Sequence, residues 1–164
     1  MMTEMAKATH VIKATNIPGL AEKLEVIQAK LSLCEKALAE YLETKRLAFP
    51  RFYFASSTDL LDILSNGNQP IKVAKHLTKL FDSMAKLELK KGSDSSHAFA
   101  MMAKDGERVE FDKICICEGQ VEVWLNRLLA TMRSTLRWEL TRAVDAYDDK
   151  PRGIYYNYRV QSFT

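Results

Sequence analysis

The sequence predicts a mainly α-helical protein: an elongated helical bundle with two long amphipathic helices, shorter helices and one inserted β-hairpin. Two stretches with apolar residues at every third or fourth position predict the long helices. An Asp-Gly pair inside a run of strand-forming residues predicts the hairpin. The 164 residues are few enough for one segment, 1–164, around a real core.

The first long helix is predicted at 20–48. Pro18-Gly19 breaks the chain before it, and Pro50 disfavours helical angles at Phe49. The apolar positions alternate steps of four and three, as in a coiled-coil seam: Leu20, Leu24, Ile27, Leu31, Cys34, Leu38 and Tyr41.

Short elements follow this helix. Residues 51–54 are bulky and aromatic, which favours an extended segment. Ser56 and Asp59 form a capping box for a short helix at 57–65, and Gly67 in a left-handed conformation is expected to close it. Pro70 suits the first turn of a further helix at 70–90, and a polar loop is expected at 92–96.

The hairpin is predicted at 99–117 with a two-residue turn at Asp105-Gly106. That turn sets Lys104 opposite Glu107, Met102 opposite Val109 and Ala100 opposite Phe111 on one face, with Met101 opposite Glu110 on the other. An isolated hairpin is marginal in water, so we expect it to lean on helices or on a partner.

A second long helix is predicted at 120–148, before a tail at 149–164. We expect the two long helices to pack side by side as a stiff body. The candidate core residues are Leu24, Ile27, Leu31 and Leu38 from the first helix, meeting Leu125, Leu128, Met132 and Leu136 from the second.

Composition disfavours several classes of function. The formal charge of +3 comes from interleaved lysine, arginine, aspartate and glutamate, which leaves no basic stripe for nucleic acid. The aromatic set Phe49, Phe52, Tyr53 and Phe54 is therefore expected to fill the core. No stretch of about 18 residues is free of charge, so neither a membrane span nor a signal peptide is expected. Three cysteines without a secretory signal favour a reducing compartment, the cytoplasm.

No catalytic, cofactor-binding or metal-binding residue is predicted. The glycine-rich phosphate loop is missing, and His10, His76 and His97 lack a nucleophile in a recognisable signature. Cys115 and Cys117 with His97 match poorly the ligand spacing of structural zinc sites, so free thiols are the simpler interpretation.

Four strings carry a resemblance to a known family. Residues 33–54 read LCEKALAEYLETKRLAFPRFYF and residues 56–67 read SSTDLLDILSNG, while 104–111 read KDGERVEF and 121–125 read VEVWL. Together they resemble the linker of dynein heavy chains, the region before the first AAA module, and are most similar to the axonemal, ciliary branch. The resemblance covers roughly residues 16 to 161.

The resemblance implies a segment of a helical rod that lies across the AAA ring of the same heavy chain. In such motors ATP, with magnesium, drives the rod between bent and straight forms and moves cargo along a microtubule. The expected partners are the ring and, indirectly, microtubules and other dynein subunits. The expected location is the cytoplasm and cytoskeleton, in the axoneme of a cilium.

Two alternatives stay open. The hairpin is a candidate contact surface through Met101, Met102, Lys104, Asp105, Gly106 and Glu107. Alternatively, it merely caps the bundle. The whole chain is also compatible with a freestanding helical adaptor that pairs through the seam of the first long helix.

Overall fold

A computed structural model describes residues 6–7, 10–90 and 96–147. The chain divides into two compact units, Met1–Tyr41 and Leu42–Thr164. The expected tail at 149–164 lies outside the described residues, as does most of the expected loop at 92–96. Within the described residues, no helix is both long enough and apolar enough to span a membrane.

Two helices make up the described part of the first unit. Helix α1 (Val11–Thr15) was not predicted. Helix α2 (Leu20–Ala48) has the predicted bounds and continues into the second unit. Gly19 precedes it with a φ of 71°, a left-handed angle that glycine adopts without strain.

The aromatic segment after α2 is a 3-10 helix (Pro50–Phe54), not the extended chain we expected. Residues three apart in a 3-10 helix share a side. Phe49, the extended residue just before this helix, and Phe52 are buried together, with ring centroids 5.0 Å apart, edge to face. Tyr53 and Phe54 are exposed, so the prediction that all four aromatic side chains fill the core is wrong for these two.

Helix α3 (Ser57–Ser65) begins at a serine cap. The Ser56 hydroxyl oxygen accepts a hydrogen bond from the Asp59 amide at 3.2 Å, as the capping box predicts. The return bond differs, because the Asp59 carboxylate accepts from the Ser56 hydroxyl at 2.7 Å. Side chain and backbone still fix the first turn together.

Gly67, which follows α3, is needed for space rather than for a left-handed angle. Only Gly19, Gly106 and Gly119 have positive φ among the described glycines. A Cβ added at Gly67 would lie 3.2 Å from the Cβ of Val121, closer than side chains normally approach. The prediction of a left-handed Gly67 is therefore wrong.

The helix predicted at 70–90 is wrong beyond residue 80. The chain forms α4 (Pro70–Val73), a 3-10 turn (Ala74–His76), α5 (Leu77–Leu80) and then strand β1 (Met84–Leu89). A β-bulge near the start of β1 shifts its alternation, so Met84 and Leu87 are both buried although they are three residues apart. That three-residue spacing imitates a helical stripe.

The predicted hairpin is part of a three-stranded antiparallel sheet. Strands β2 (His97–Ala103) and β3 (Arg108–Ile116) follow β1, in the order β1-β2-β3. Strand β1 thus supplies part of the support that an isolated hairpin lacks.

The predicted hairpin register is wrong by one residue. Met101 pairs with Val109, and Met102 pairs with Arg108. The turn has three central residues, because the Ala103 amide donates to the Glu107 carbonyl at 2.8 Å. Gly106 supplies the left-handed angle, with a φ of 90°, as three-residue hairpin loops require. A one-residue slip exchanges the faces, so Met101 rather than Met102 enters the core.

The second long helix, α6, spans Val121–Asp145 and packs on the sheet. Its N-terminal half supplies the centre of the second unit's core. The largest fully buried side chains around it include Trp124, Leu125, Leu128, Phe49, Phe52, Leu60, Ile63, Leu77, Leu80, Met84 and Met101. The mainly α class with an inserted hairpin is confirmed.

Candidate functional site: the anchored end of the long helix

A partly buried ion pair fixes the last turns of α2 to the first turn of α6. The Lys45 ammonium contacts the Glu122 carboxylate, and the two side chains are only 19% and 9% exposed. Coulomb attraction is stronger where water is largely excluded, while a lost partner would leave a buried charge. The pair therefore favours one position of the helix end.

Asn126 adds a second contact to the same end. Its side-chain amide donates to the carbonyl of Ala48 at 3.0 Å and to the carbonyl of Glu122 at 2.9 Å. The last carbonyls of a helix lack partners within the helix. Asn126 thus caps α2 from a different helix. Leu42 and Phe49, both buried, place apolar packing at either end of these polar contacts.

The neighbouring surface of α2 is tied to the 3-10 helix and to α3. The Tyr53 hydroxyl donates to the Glu43 carboxylate at 2.6 Å, and this bond raises the pKa of Tyr53. The Arg46 guanidinium donates to the Ser57 hydroxyl at 3.1 Å and lies over the Tyr53 ring. We call the contacts of Lys45, Asn126 and Arg46 the helix anchor.

A polar cluster joins α3 to the segment after it. Lys79 pairs with Asp59 at 2.7 Å, and His76 Nε2 lies 2.7 Å from the Asp62 carboxylate. The bond from Lys79, and then that from Ser56, lowers the pKa of Asp59. These contacts lie at the surface, and they hold α3 against the segment that leads into β1.

Half of the predicted core lies where we expected it. Leu125, Leu128 and Met132 are buried, and Leu136 packs partly buried against them. The other half is wrong, because the exposed fractions are 46% for Leu24, 46% for Ile27, 63% for Leu31 and 42% for Leu38. In the described part of the first unit, the only other helix is the five-residue α1, which is too short to cover such a stripe.

The predicted contact hairpin is only partly available at the surface. Lys104, Asp105 and Gly106 are exposed, whereas Met102 and Glu107 are half-buried. Met101 is fully buried, so its prediction as a contact residue is wrong. The register shift that turns Met101 inward explains this.

Side chains of the turn contact the segment before β1 and the turn's own backbone. Lys104 pairs with Asp82 at 3.3 Å, and the Asp105 carboxylate accepts from the Glu107 amide at 3.0 Å. The Glu107 Oε2 atom is buried without a hydrogen-bond partner among the described residues.

The structure does not assemble a metal centre from the residues it describes. No group of three or more histidine, cysteine, aspartate or glutamate side chains there is placed to hold a metal ion. Cys115 and Cys117 are buried free thiols, and His97 Nδ1 lies 3.4 Å from the Ser96 hydroxyl.

Sequence reasoning missed the helix anchor. Glu122 lies next to the apolar position Val121 at the start of a helix, where an acidic residue is ordinary. Its partner, Lys45, is 77 residues away in the sequence. No local pattern signals a pair at that separation.

Comparison of the sequence with known proteins shows the family of this chain. The family model "Dynein heavy chain, N-terminal region 2" matches residues 1–143. A ciliary dynein beta chain of Heliocidaris crassispina is 58% identical over 98% of this chain. Dynein axonemal heavy chain 17 of Mus musculus is 56% identical over 93% of it, and dynein axonemal heavy chain 9 of Homo sapiens is 56% identical over 89%.

The chain belongs to the dynein heavy chain family, in its N-terminal region 2. It spans about 4% of the length of the ciliary beta chain and of heavy chain 17, and about 3% of heavy chain 9.

Proposed function

We propose that this chain is a segment of the mechanical linker of a dynein heavy chain, a lever that passes ATP-driven changes of the AAA ring to microtubule-based movement. The supporting observation is α2, a helix of 29 residues that ends in the helix anchor. At 1.5 Å per residue, α2 is about 43 Å long. A single continuous helix of that length is a suitable strut.

The helix anchor supplies what a strut needs at its end. A displacement along a helix is not transmitted if the last turn can rotate against the elements that hold it. Lys45 and the Ala48 carbonyl contact α6, while Arg46 contacts α3. Contacts to two elements on different sides of α2 resist rotation of the helix about its own axis.

The chemistry of the motor lies elsewhere in this proposal. This segment transmits force and performs no catalysis, while ATP and magnesium bind to the AAA ring of the parent chain. The ring is the direct partner, and microtubules and other dynein subunits are indirect ones. The names of the relatives support a location in the axoneme of a cilium, within the cytoskeleton.

A contact with the ring through the hairpin turn is the finer part of the proposal. Lys104, Asp105 and Gly106 are exposed and present opposite charges on a braced turn. Deleting Asp105 and Gly106 in the whole heavy chain should slow microtubule gliding. Unimpaired gliding would mean that the hairpin merely caps its unit.

The helix anchor is tested by Glu122→Gln in the whole heavy chain. The change removes the carboxylate charge that pairs with Lys45 and should destabilise the segment by about 1 to 3 kcal/mol. Gliding velocity should fall while ATP hydrolysis continues, because coupling rather than chemistry is impaired.

The matched control is Glu139→Gln. Glu139 is on the same helix and pairs with Arg142 only three residues away, at 3.3 Å. This local pair should contribute little. Equal velocities for the two variants and the unaltered motor would remove the anchor from the proposal.

The exposed stripe of α2 favours a second candidate, a helical adaptor that pairs through this face. Leu24, Leu31 and Leu38 continue a seven-residue spacing and are exposed. Sedimentation of the chain separates the two candidates. A stable dimer at micromolar concentration favours the adaptor, and a monomer favours the lever segment.

A further inference from the structure

The two edges of the three-stranded sheet differ in what contacts them. At the β3 edge, the Asp112 amide donates to the Thr135 hydroxyl at 3.2 Å, and the Ile116 carbonyl accepts from the Arg127 guanidinium. Both partners are side chains of α6. These backbone groups at the β3 edge are therefore hydrogen-bonded within the chain.

The opposite edge, β1, is open in the part of the chain that the structure describes. No described side chain hydrogen-bonds to the backbone of Met84–Leu89. The Lys90 amide donates to the His97 carbonyl at 2.8 Å, so the alternation of an antiparallel ladder turns the Leu89 amide away from β2. An edge of this kind presents amides and carbonyls that can pair with a further strand.

A groove lies between β1 and the helical segment that precedes it. Its volume of about 900 Å³ is typical of a ligand site. Its walls include Ile71, Ala74 and Lys75 from the helical segment, and Lys86, Leu89 and Phe99 from the sheet. Ile71 and Phe99 are exposed, so each wall offers apolar surface.

The charged side chains at the groove are mainly basic. Lys75, Lys86 and Lys90 line it, and the structure pairs neither Lys75 nor Lys86 with an acidic side chain that it describes. Glu88 is the one acid among the described lining residues, and its carboxylate accepts from the Arg108 guanidinium at 3.0 Å. Carboxylates of an entering segment would therefore meet ammonium groups that are not yet neutralised.

We propose that the β1 edge is a docking site for an extended, acidic protein segment from outside residues 1–164, which joins the sheet as a further strand. Backbone pairing with β1 supplies affinity, while contacts to Lys75, Lys86 and Phe99 select acidic and apolar side chains. The six residues of β1 offer about 20 Å of edge. A second copy of this chain fits less well, because it would bring two groups of lysines together.

Lysines on an edge strand also have a protective role, because their charge discourages pairing with other strands. The two roles predict different results with an acidic strand. A docking site binds that strand through its backbone as well as through its charges, whereas a protective charge only attracts its carboxylates.

The test titrates the 164-residue chain into a fluorescein-labelled hexapeptide that alternates glutamate and valine, and follows fluorescence polarisation. The peptide should bind with a Kd below about 1 mM. The same peptide methylated on its backbone amides should bind at least about tenfold more weakly, because it cannot donate to the carbonyls of β1. In hydrogen exchange, the Leu89 amide should exchange more slowly when the unmethylated peptide is bound.

A pair of charge reversals locates the site. Lys86→Glu should weaken binding about fivefold, because an attractive charge on β1 becomes a repulsive one. Lys113→Glu is the matched control, since Lys113 is an exposed lysine on β3, at the other edge, and it should leave the affinity unchanged. Circular dichroism checks that both variants fold.

Three results would each overturn the proposal. The first is an unmethylated peptide that does not bind. The second is a methylated peptide that binds as tightly as the unmethylated one, which would mean attraction between charges alone. The third is an equal loss of affinity in Lys86→Glu and Lys113→Glu. The first two results need no variant of the chain.

Discussion

The two long helices have the same kind of apolar spacing and bury it very differently. In α6, Leu125 and Leu128 are fully buried against the sheet and the short helices. In α2, Leu24 and Leu31 are about half exposed or more, although the spacing there is just as regular. Spacing therefore identifies the apolar face of a helix, whereas the burial of that face depends on which elements the chain places beside it.

The largest expected effect is on stability at equivalent leucines of the two helices. Leu128→Ala removes buried methyl groups and should lower the free energy of unfolding by about 2 to 5 kcal/mol. Leu31→Ala should change it by less than about 0.5 kcal/mol, because Leu31 is 63% exposed. Urea unfolding measures both, and equal losses would mean that the α2 stripe is buried after all.

A smaller loss is expected where α6 approaches the backbone of Gly67. Gly67→Ala places a Cβ 3.2 Å from the Cβ of Val121, and the Trp124 indole N–H donates to the Gly67 carbonyl at 3.1 Å, so the helix cannot move away freely. We expect a loss of about 1 to 3 kcal/mol. Combining it with Val121→Ala should cost less than the sum of the single changes, and strict additivity would contradict the close contact.

The smallest expected effect concerns the polar side of α6. The Ser134 hydroxyl and then that of Thr135, donating at 2.8 and 2.9 Å, lower the pKa of Asp112. A carboxyl whose folded pKa is lowered stabilises the fold above its unfolded pKa, and this contribution is lost as the pH falls through the folded value.

Thr135→Val should therefore lower the free energy of unfolding by about 1 to 2 kcal/mol at neutral pH. Because part of the Asp112 contribution is already absent, the variant should also lose less stability on acidification. Unfolding curves at neutral and acid pH measure both effects. An unchanged acid dependence would show that Thr135 does not act through Asp112.

Elements with strong local signals were predictable from the sequence. Pro18-Gly19 precedes α2, the Ser56 cap begins α3, and Gly119, with a φ of 88°, lies just before α6. Strand β1 was not predictable, because its bulge gives Met84 and Leu87 the spacing of a helix. The predicted hairpin register was wrong because its local signal is also ambiguous. Asp105-Gly106 fits both a two-residue and a three-residue loop.

No local sequence pattern predicts the contacts of the helix anchor. Lys45 and Glu122 each have the ordinary character of a helix surface residue, and only the approach of the last turns of α2 to the first turn of α6 brings them together. The error for the α2 stripe is the reverse. A regular apolar seam was expected to have its partner within the same chain, and the structure leaves these residues exposed. Both errors concern contacts between distant segments, which one sequence does not encode in any local pattern.

The measurement that tests the lever most directly is microtubule gliding by the whole heavy chain with a kink in α2. Ala37 lies in the middle of α2 and is exposed, so Ala37→Pro breaks the helix without disturbing the core. The lever predicts a large fall in gliding velocity with ATP hydrolysis preserved, and Ala37→Ser as the control should move normally. Unchanged velocity with the proline would contradict a mechanical role for this helix.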